Sequence, residues 1–438
     1  MSFFIFVYMK KIILLLACPF LVGQLSAQFK ITVQSQADFP AKTAYLYTLD
    51  GSKDILNSKA EKKGNAWVFN VPNSYRGMLK VYFPETNGSV NFISENKDVN
   101  FNIISKDKTI SDVAFLDDAN KIMNSYQEVQ QKKQYILPAL YQIKEYYKDN
   151  TEFGAALNKE ILSLSNTNLT ANQYPFVAYY TSNYNKYLVK DAIKQEATPD
   201  EIKHFITNSG EYLETSSLIR PLLVEYLNKS SSNGKVDGAV DSLLTSLNVE
   251  TPRGQTVLSE LIDIFDIYGM PDMKEKYLSE AKNLKCTIND RLTSTINSNV
   301  NTEIGAKFPN YTFIKPFNTK AKTLYDVKAD KKVVVFWSST CSHCEKELPE
   351  ILAVYPELKK KQNIEVIGLS LDSDQASYEN KAKNLPWIND SELKGWYSTY
   401  SEVYNVHATP SYFILDADNK IVAKPDHAKD VADYFKLK

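Results

Sequence analysis

Two cysteines separated by two residues, Cys341-Ser342-His343-Cys344, follow a continuous apolar run, Val333-Val334-Val335-Phe336-Trp337. A run of this length without a polar break suits a strand buried on both faces. Ser338-Ser339-Thr340 then lead into Cys341, which places it at the N-terminus of the next helix. Free backbone N–H groups and the positive dipole end favour a thiolate there. Cysteines in such motifs have pKa values lowered to about 3.5–7.5, and the thiolate is the species that attacks a disulfide. The second sulfur falls in the first helical turn, within disulfide reach and deeper. The spacing therefore predicts Cys341 as the attacking thiol and Cys344 as the resolving one. His343 is a candidate to stabilise the thiolate through its imidazolium or ring N–H. Its plain alternative is an exposed histidine that tunes little.

The rest of the chain gives this pair its context. Of four cysteines, Cys18 lies in an N-terminal address and Cys286 stands apart. The address starts at Met9-Lys10-Lys11, runs through Ile12–Leu16 and Phe20–Val22, and ends at Leu25-Ser26-Ala27, the pattern of a secretory signal peptide over residues 1–27. The eight residues before Met9 add no charge, so Met9 is expected to be the true start. Pro19, Gly23 and Gln24 weaken the alternative of a membrane-spanning helix. Lipidation at Cys18, after Leu15-Leu16-Ala17, is a further alternative, although the residues after it stay apolar. The expected location is the periplasm or cell envelope. Three cysteines after cleavage are too few for a disulfide scaffold, and a lone pair two residues apart in an oxidising compartment reads as a working redox pair. Cys286 reads as a half-buried structural thiol.

Hydrophobic residues at 43% and charged residues at 24% are the balance of a soluble globular protein. The formal charge of −1 gives no reason to expect nucleic acid as a partner. A metal is not expected either. One CxxC, Cys286 and the scattered His204, His343, His407 and His427 supply no obvious four-ligand set.

The chain divides by periodicity into three parts. Residues 28–112 carry short alternating runs such as Phe29–Val33, Ala44–Tyr47, Trp67–Phe69 and Leu79–Phe83. Asp50-Gly51, Lys63-Gly64-Asn65, Pro72-Asn73 and Asn87-Gly88 punctuate them, which predicts a small antiparallel β domain. Over residues 113–300 the spacing turns helical, as at Ile122/Tyr126/Val129 and Leu258/Leu261/Ile262/Phe265. Helix starts are expected at Thr198-Pro199-Asp200 and Gly269-Met270-Pro271, and a loop at Ser230–Gly234. The tyrosines of this region, among them Tyr141, Tyr146, Tyr147, Tyr179, Tyr180, Tyr184 and Tyr187, suit a core with hydroxyls at its rim, with a binding face as the alternative. Residues 301–438 alternate strand and helix: a helix to about Lys360, a strand over Ile364–Leu371, and a helix over Ser373–Asn384. A hairpin of Ser411–Leu415 with Lys420–Lys424 and a final helix over Asp426–Phe435 follow.

Thr409-Pro410 lies just before that hairpin. Proline is the one residue for which a cis bond is cheap, about 0.5–1 kcal/mol. A cis bond here would expose the Thr409 backbone beside the cysteines, where it can pair with a substrate strand. Pro349, five residues after Cys344, would kink the helix that carries both thiols.

The C-terminal third resembles the TlpA/ResA-like branch of the thioredoxin superfamily. The matching residues are Gly305–Pro309, Val333–Trp337, Cys341–Cys344, Glu347-Leu348-Pro349 and Ala408–Asp416. The resemblance implies a C-terminal α/β thioredoxin-like fold and dithiol–disulfide exchange with protein thiols and disulfides. It implies no bound cofactor and a membrane-linked or periplasmic electron donor. It assigns Pro410 and Glu347 to catalysis beside the cysteines, Glu347 as acceptor of the Cys344 proton, and Thr409 and Trp337, with His343, to substrate contact. The whole layout also resembles multidomain redoxins of Bacteroidetes envelopes.

There are departures. Thioredoxins proper carry an aspartate in the place of Val335, and Ala408 stands where glycine is usual. Ser342-His343 differs from the Gly-Pro of strong reductants and shares its histidine with strong oxidants. The direction of electron flow is therefore open, with reduction favoured by the branch. A peroxiredoxin would need proline at Val334. The competing reading from another class makes residues 28–300 an envelope protein- or ligand-binding module with an accessory redoxin. His407 reads as a loop histidine.

Overall fold

The alternating runs before residue 116 pair into two sheets rather than one. In the computed structural model, which describes residues 28–166, 172–189, 196–231 and 236–437, these strands are β1 (Phe29–Ser35), β2 (Thr43–Asp50), β3 (Lys53–Glu61), β4 (Ala66–Val71), β5 (Arg76–Phe83), β6 (Gly88–Glu95), β7 (Val99–Lys106) and β8 (Thr109–Phe115). The orders are β4-β1-β7-β8 and β3-β2-β5-β6. Inward residues of both sheets, including Ile31, Val33, Leu46, Trp67, Val81 and Phe101, share one core. Pairing is antiparallel as expected, except that β1 and β7 pair in parallel, from Ile31 opposite Val99 to Ser35 opposite Ile103. Alternation reports which face of a strand is buried, and not which partner lies beside it. The sheet also runs past residue 112, since β8 ends at Phe115.

Helices follow: α1 (Asp118–Lys144), α2 (Glu152–Asn166), α3 (Pro175–Tyr187), α4 (Pro199–Asn208), α5 (Tyr212–Thr215), α6 (Ile219–Ser231), α7 (Val236–Leu247), α8 (Pro252–Ile267), α9 (Pro271–Lys282) and α10 (Asp290–Val300). Thr198 caps α4 with a complete capping box closed by Glu201, as Thr-Pro-Asp-Glu should. Ser230 and Ser231 are helical where a loop was expected, since α6 reaches Ser231; residues 232–235 lie outside the described ones, as do residues 1–27 with Met9 and Cys18. The tyrosines divide: Tyr180 and Tyr187 are buried and Tyr179 and Tyr184 pack against the same core, while Tyr146 and Tyr147 are exposed. Among the described residues, no helix is long and apolar enough to cross a membrane.

The last part contains β9 (Lys331–Trp337), α11 (Ser342–Gln362), β10 (Ile364–Ser370), α12 (Gln375–Ala382), β11 (Ile388–Ser391), α13 (Thr399–Val403), β12 (Ser411–Asp416), β13 (Ile421–Ala423) and α14 (Ala428–Tyr434). The sheet order is β11-β10-β9-β12-β13, with β9, β10 and β11 parallel and β12 and β13 antiparallel. The apolar run is the central strand. Val333, Val335 and Trp337 enter one core with Cys344, Leu348 and Ile351 of α11. Val334 and Phe336 enter a second core with Phe308, Tyr400 and Tyr404. Two covered faces explain the missing polar break.

The expected element order lacked β11 and α13, and α12 is shorter than the expected Ser373–Asn384. β11 reads Ile-Asn-Asp-Ser yet is buried throughout. Its carboxylate is satisfied internally: Asp390 accepts Tyr311 Oη (3.0 Å) and the N–H groups of Ile314 (2.7 Å) and Lys315 (2.9 Å). Gly368 of β10 lets the neighbouring groups close in, since a Cβ there would stand 2.4 Å from Asn389 Oδ1.

α8 joins the parts. Glu260, fully buried, accepts Ser52 N–H (2.8 Å) from the β2–β3 turn and Arg220 Nε (2.8 Å), and Arg291 Nη2 lies 3.3 Å away. The turn depends on Gly51, whose φ of +67° is left-handed and whose added Cβ would meet Glu260 Oε1 at 2.5 Å. Removing one partner of a buried ion pair typically costs about 3–5 kcal/mol. Glu260→Ala, which leaves Arg220 and Arg291 to share the Asp263 carboxylate, is expected to lower the unfolding free energy by about that amount, read by urea denaturation with tryptophan fluorescence.

Candidate active site

The site begins where β9 hands over to α11. Ser338 and Ser339 are tied down by Asp372, 5% exposed, just after β10. Its Oδ1 accepts Ser338 Oγ (2.9 Å), Ser339 N–H (3.0 Å) and Ser339 Oγ (2.7 Å), and its Oδ2 accepts Ser370 Oγ (2.7 Å). Asp372 was not singled out from the sequence. Its signal was weak, since its partners are serines from two separate strand ends.

Cys341 is the N-cap of α11, and its Sγ accepts the Cys344 N–H at 3.1 Å. In the thiol form, Sγ–H donates to the Thr409 carbonyl at 3.2 Å, and Thr409–Pro410 is a cis peptide bond. Burial opposes ionisation of Cys341. Hydrogen bonds from the Cys344 thiol, the Thr409 side chain and the backbone N–H groups of Cys344 and His343 outweigh it, so the Cys341 pKa falls below the ordinary thiol value. The His343 backbone thus faces the sulfur, while its side chain is exposed. Cys344 is 1% exposed. Burial first, then the neighbouring Cys341, push its pKa up to about 12. Both cysteines are free thiols, as is Cys286, which sits in the helical part with Gln255 Nε2 3.4 Å from its sulfur.

Glu347 lies three residues after Cys344, on the same face of α11. Its side chain is 16% exposed. Oε2 accepts Tyr412 Oη (3.1 Å) and Ala428 N–H (2.9 Å), and Oε1 faces His427 Nδ1 (3.2 Å). Burial raises the Tyr412 pKa, and the charges of Glu347 and Cys344 raise it further, so the three groups share one electrostatic neighbourhood. His427 is held above its ordinary value by Glu347. His427 is 80 residues from Glu347 in the chain, so its spacing carries no signal of this contact.

Trp337 must be corrected as a substrate-contact residue. It is 0% exposed and packs beside Tyr378 at 6.1 Å, inside the core that holds Cys344. An indole on the central strand supports the site from beneath. His407 does not approach the cysteines, because its Nε2 is 3.0 Å from Asn405 Oδ1 and 3.6 Å from Asp266 Oδ2.

The comparisons fall on the part of the chain that carries this site. A family model described as thioredoxin-like matches residues 330–421. A thiol-disulfide oxidoreductase ResA of Bacillus cereus is 30% identical over 126 residues, which cover 28% of this chain and 69% of that protein. The chain belongs to the ResA-like branch of the thioredoxin superfamily. It is a thiol–disulfide oxidoreductase. ResA of Bacillus subtilis is 25% identical over 122 residues, 27% of this chain and 64% of its own length. Among solved structures, the thioredoxin domain of a thiol-disulfide oxidoreductase from Bacteroides vulgatus is 26% identical and covers 31% of this chain and 96% of its own, with a TM-score of 0.28. In this chain the redoxin is the C-terminal part of a multidomain protein, preceded by helices and sheets.

Two outcomes follow from the opposed environments. Iodoacetamide labelling mapped by mass spectrometry is expected to modify Cys341 with an inflection below the ordinary thiol value. Cys344 should stay unlabelled until the pH nears 12. Asp372→Ala leaves the Ser339 N–H and three hydroxyls without their acceptor. It should cost about 1–3 kcal/mol in a denaturant titration and slow Cys341 labelling.

Proposed function

We propose that the chain is exported and reduces disulfides of protein substrates in the periplasm or cell envelope, with Cys341 attacking and Cys344 resolving. The observation that carries the reading is the Cys341 sulfur at the helix N-terminus, half-buried and beside the Thr409 carbonyl, with Cys344 sealed beneath it. The export reading rests on the sequence of residues 1–27, and the family membership favours the enzyme over a binding module with an accessory redoxin.

The Cys341 thiolate attacks one sulfur of a substrate disulfide. A Cys341–substrate bond forms, the substrate S–S bond breaks, and one substrate thiolate leaves. Cys344 then loses its proton and attacks the Cys341 sulfur, which releases the second substrate thiolate and leaves a Cys341–Cys344 disulfide. Two electrons pass from the dithiol to the substrate. A membrane-linked or periplasmic dithiol donor restores the pair. Burial makes the Cys344 proton the difficult one, and Glu347 is the base for it, held in place by Tyr412, Ala428 and His427. Thr409 and Pro410 form the substrate platform, and the exposed His343 ring borders it. No cofactor takes part. The mature chain works as three parts, divided where β8 and α10 end.

The test is trapping in cell envelopes. Cys344→Ala lacks the resolving thiol, so mixed disulfides with envelope proteins should accumulate on Cys341 and disappear in the Cys341→Ser/Cys344→Ala double variant. No adduct on Cys341 would end the proposal. Glu347→Gln should leave Cys341 labelling intact and slow turnover about 100-fold, the scale of general-base loss, read with insulin as substrate.

A further inference from the structure

The segment that leads to Thr409 is held from outside the redoxin. α13 ends at Val403, and Asn405 then turns with a left-handed φ of +52°. Its Nδ2 donates to Asp266 Oδ2 of α8 at 2.6 Å and lies 3.4 Å from Asn299 Oδ1 of α10. Its Oδ1 meets His407 Nε2 at 3.0 Å, and that nitrogen also lies 3.6 Å from Asp266 Oδ2. Asn301 Nδ2 donates to the Val403 carbonyl at 3.3 Å. Two residues after His407 comes Thr409, whose carbonyl meets Cys341 Sγ at 3.2 Å.

Asp266 is oddly placed for α8 itself. It sits in the last turn, where the negative end of the helix dipole disfavours a carboxylate. Its partners all lie off the helix: Lys274 Nζ at 2.7 Å to Oδ1, with Asn405 and His407 at Oδ2. Burial disfavours its charge, and Lys274, His407 and Asn405 outweigh that burial. The side chain is thus arranged to serve the loop between α13 and Thr409.

We propose that Asp266 is a positioning residue for thiol exchange: through Asn405 and His407 it fixes the segment carrying Thr409 and so sets the contacts of Thr409 with the Cys341 sulfur. The helical part thereby tunes the thiol of the redoxin. The inference rests on the reading of Cys341 as the attacking thiol. The Thr409 side chain lowers the Cys341 pKa, so a loosened segment should leave less thiolate near neutral pH.

The experiment is the pH profile of Cys341 labelling in the reduced full chain, mapped by mass spectrometry, for wild type, Asp266→Ala, Asp266→Asn and Asn405→Gly. Glycine accepts the left-handed backbone at 405 and removes only the side chain. Asp266→Ala and Asn405→Gly should raise the inflection and slow labelling about threefold near neutral pH, half a unit where one unit is tenfold. Asp266→Asn keeps an acceptor for Asn405 and should restore most of the rate. If Asp266→Ala does not fold, Asn405→Gly decides. A depressed wild-type inflection that neither variant moves overturns the role of Asp266 and leaves Cys341 as the attacking thiol. A wild-type inflection at the ordinary thiol value overturns that reading, and this inference with it.

Discussion

A helix cannot satisfy its own first N–H groups, and here one of them points at a sulfur. The Cys344 N–H donates to Cys341 Sγ at 3.1 Å, and the rest of the site is arranged around that contact. β9 delivers the chain to this point because both its faces are buried. Asp372 fixes the two serines between strand and helix. The Thr409 carbonyl lies 3.2 Å from the same sulfur. Burial alone would raise the Cys341 pKa, so the donors decide the sign of the shift.

The same few residues give the second thiol the opposite environment. Cys344 is one turn into α11 and shares a core with Trp337, Leu348 and Ile351. A thiol there keeps its proton until a base removes it. Glu347 is within the same electrostatic neighbourhood, reached through Tyr412, and His427 connects it to the surface. In the proposed exchange the sulfur that ionises readily attacks, and the one that does not resolves.

Much of this was legible in the chain. The apolar run, the CxxC after it and Thr-Pro before the hairpin are local signals, and local signals survive in a sequence. The helix start at Thr198 was equally plain, because a capping box is written in four consecutive residues. What escaped depends on contacts between distant segments. β11 is polar because Tyr311, Ile314 and Lys315 supply its partners, so no periodicity could reveal it. The parallel pairing of β1 with β7 leaves no mark in alternation. Asp372 and Asp266 act on serines and on an asparagine far along the chain. Trp337 misled for a related reason: its place in the motif was right, but the sheet turns its ring into the core.

The central claim, that Cys341 and Cys344 together pass two electrons to a disulfide, is tested most directly by a single turnover. The reduced chain is mixed with a stoichiometric disulfide substrate, quenched in acid and mapped by mass spectrometry. The account predicts an internal bridge between Cys341 and Cys344, with Cys286 still free and two substrate thiols released per bridge. A bridge involving Cys286, or substrate reduction with residues 341 and 344 still unlinked, would contradict it.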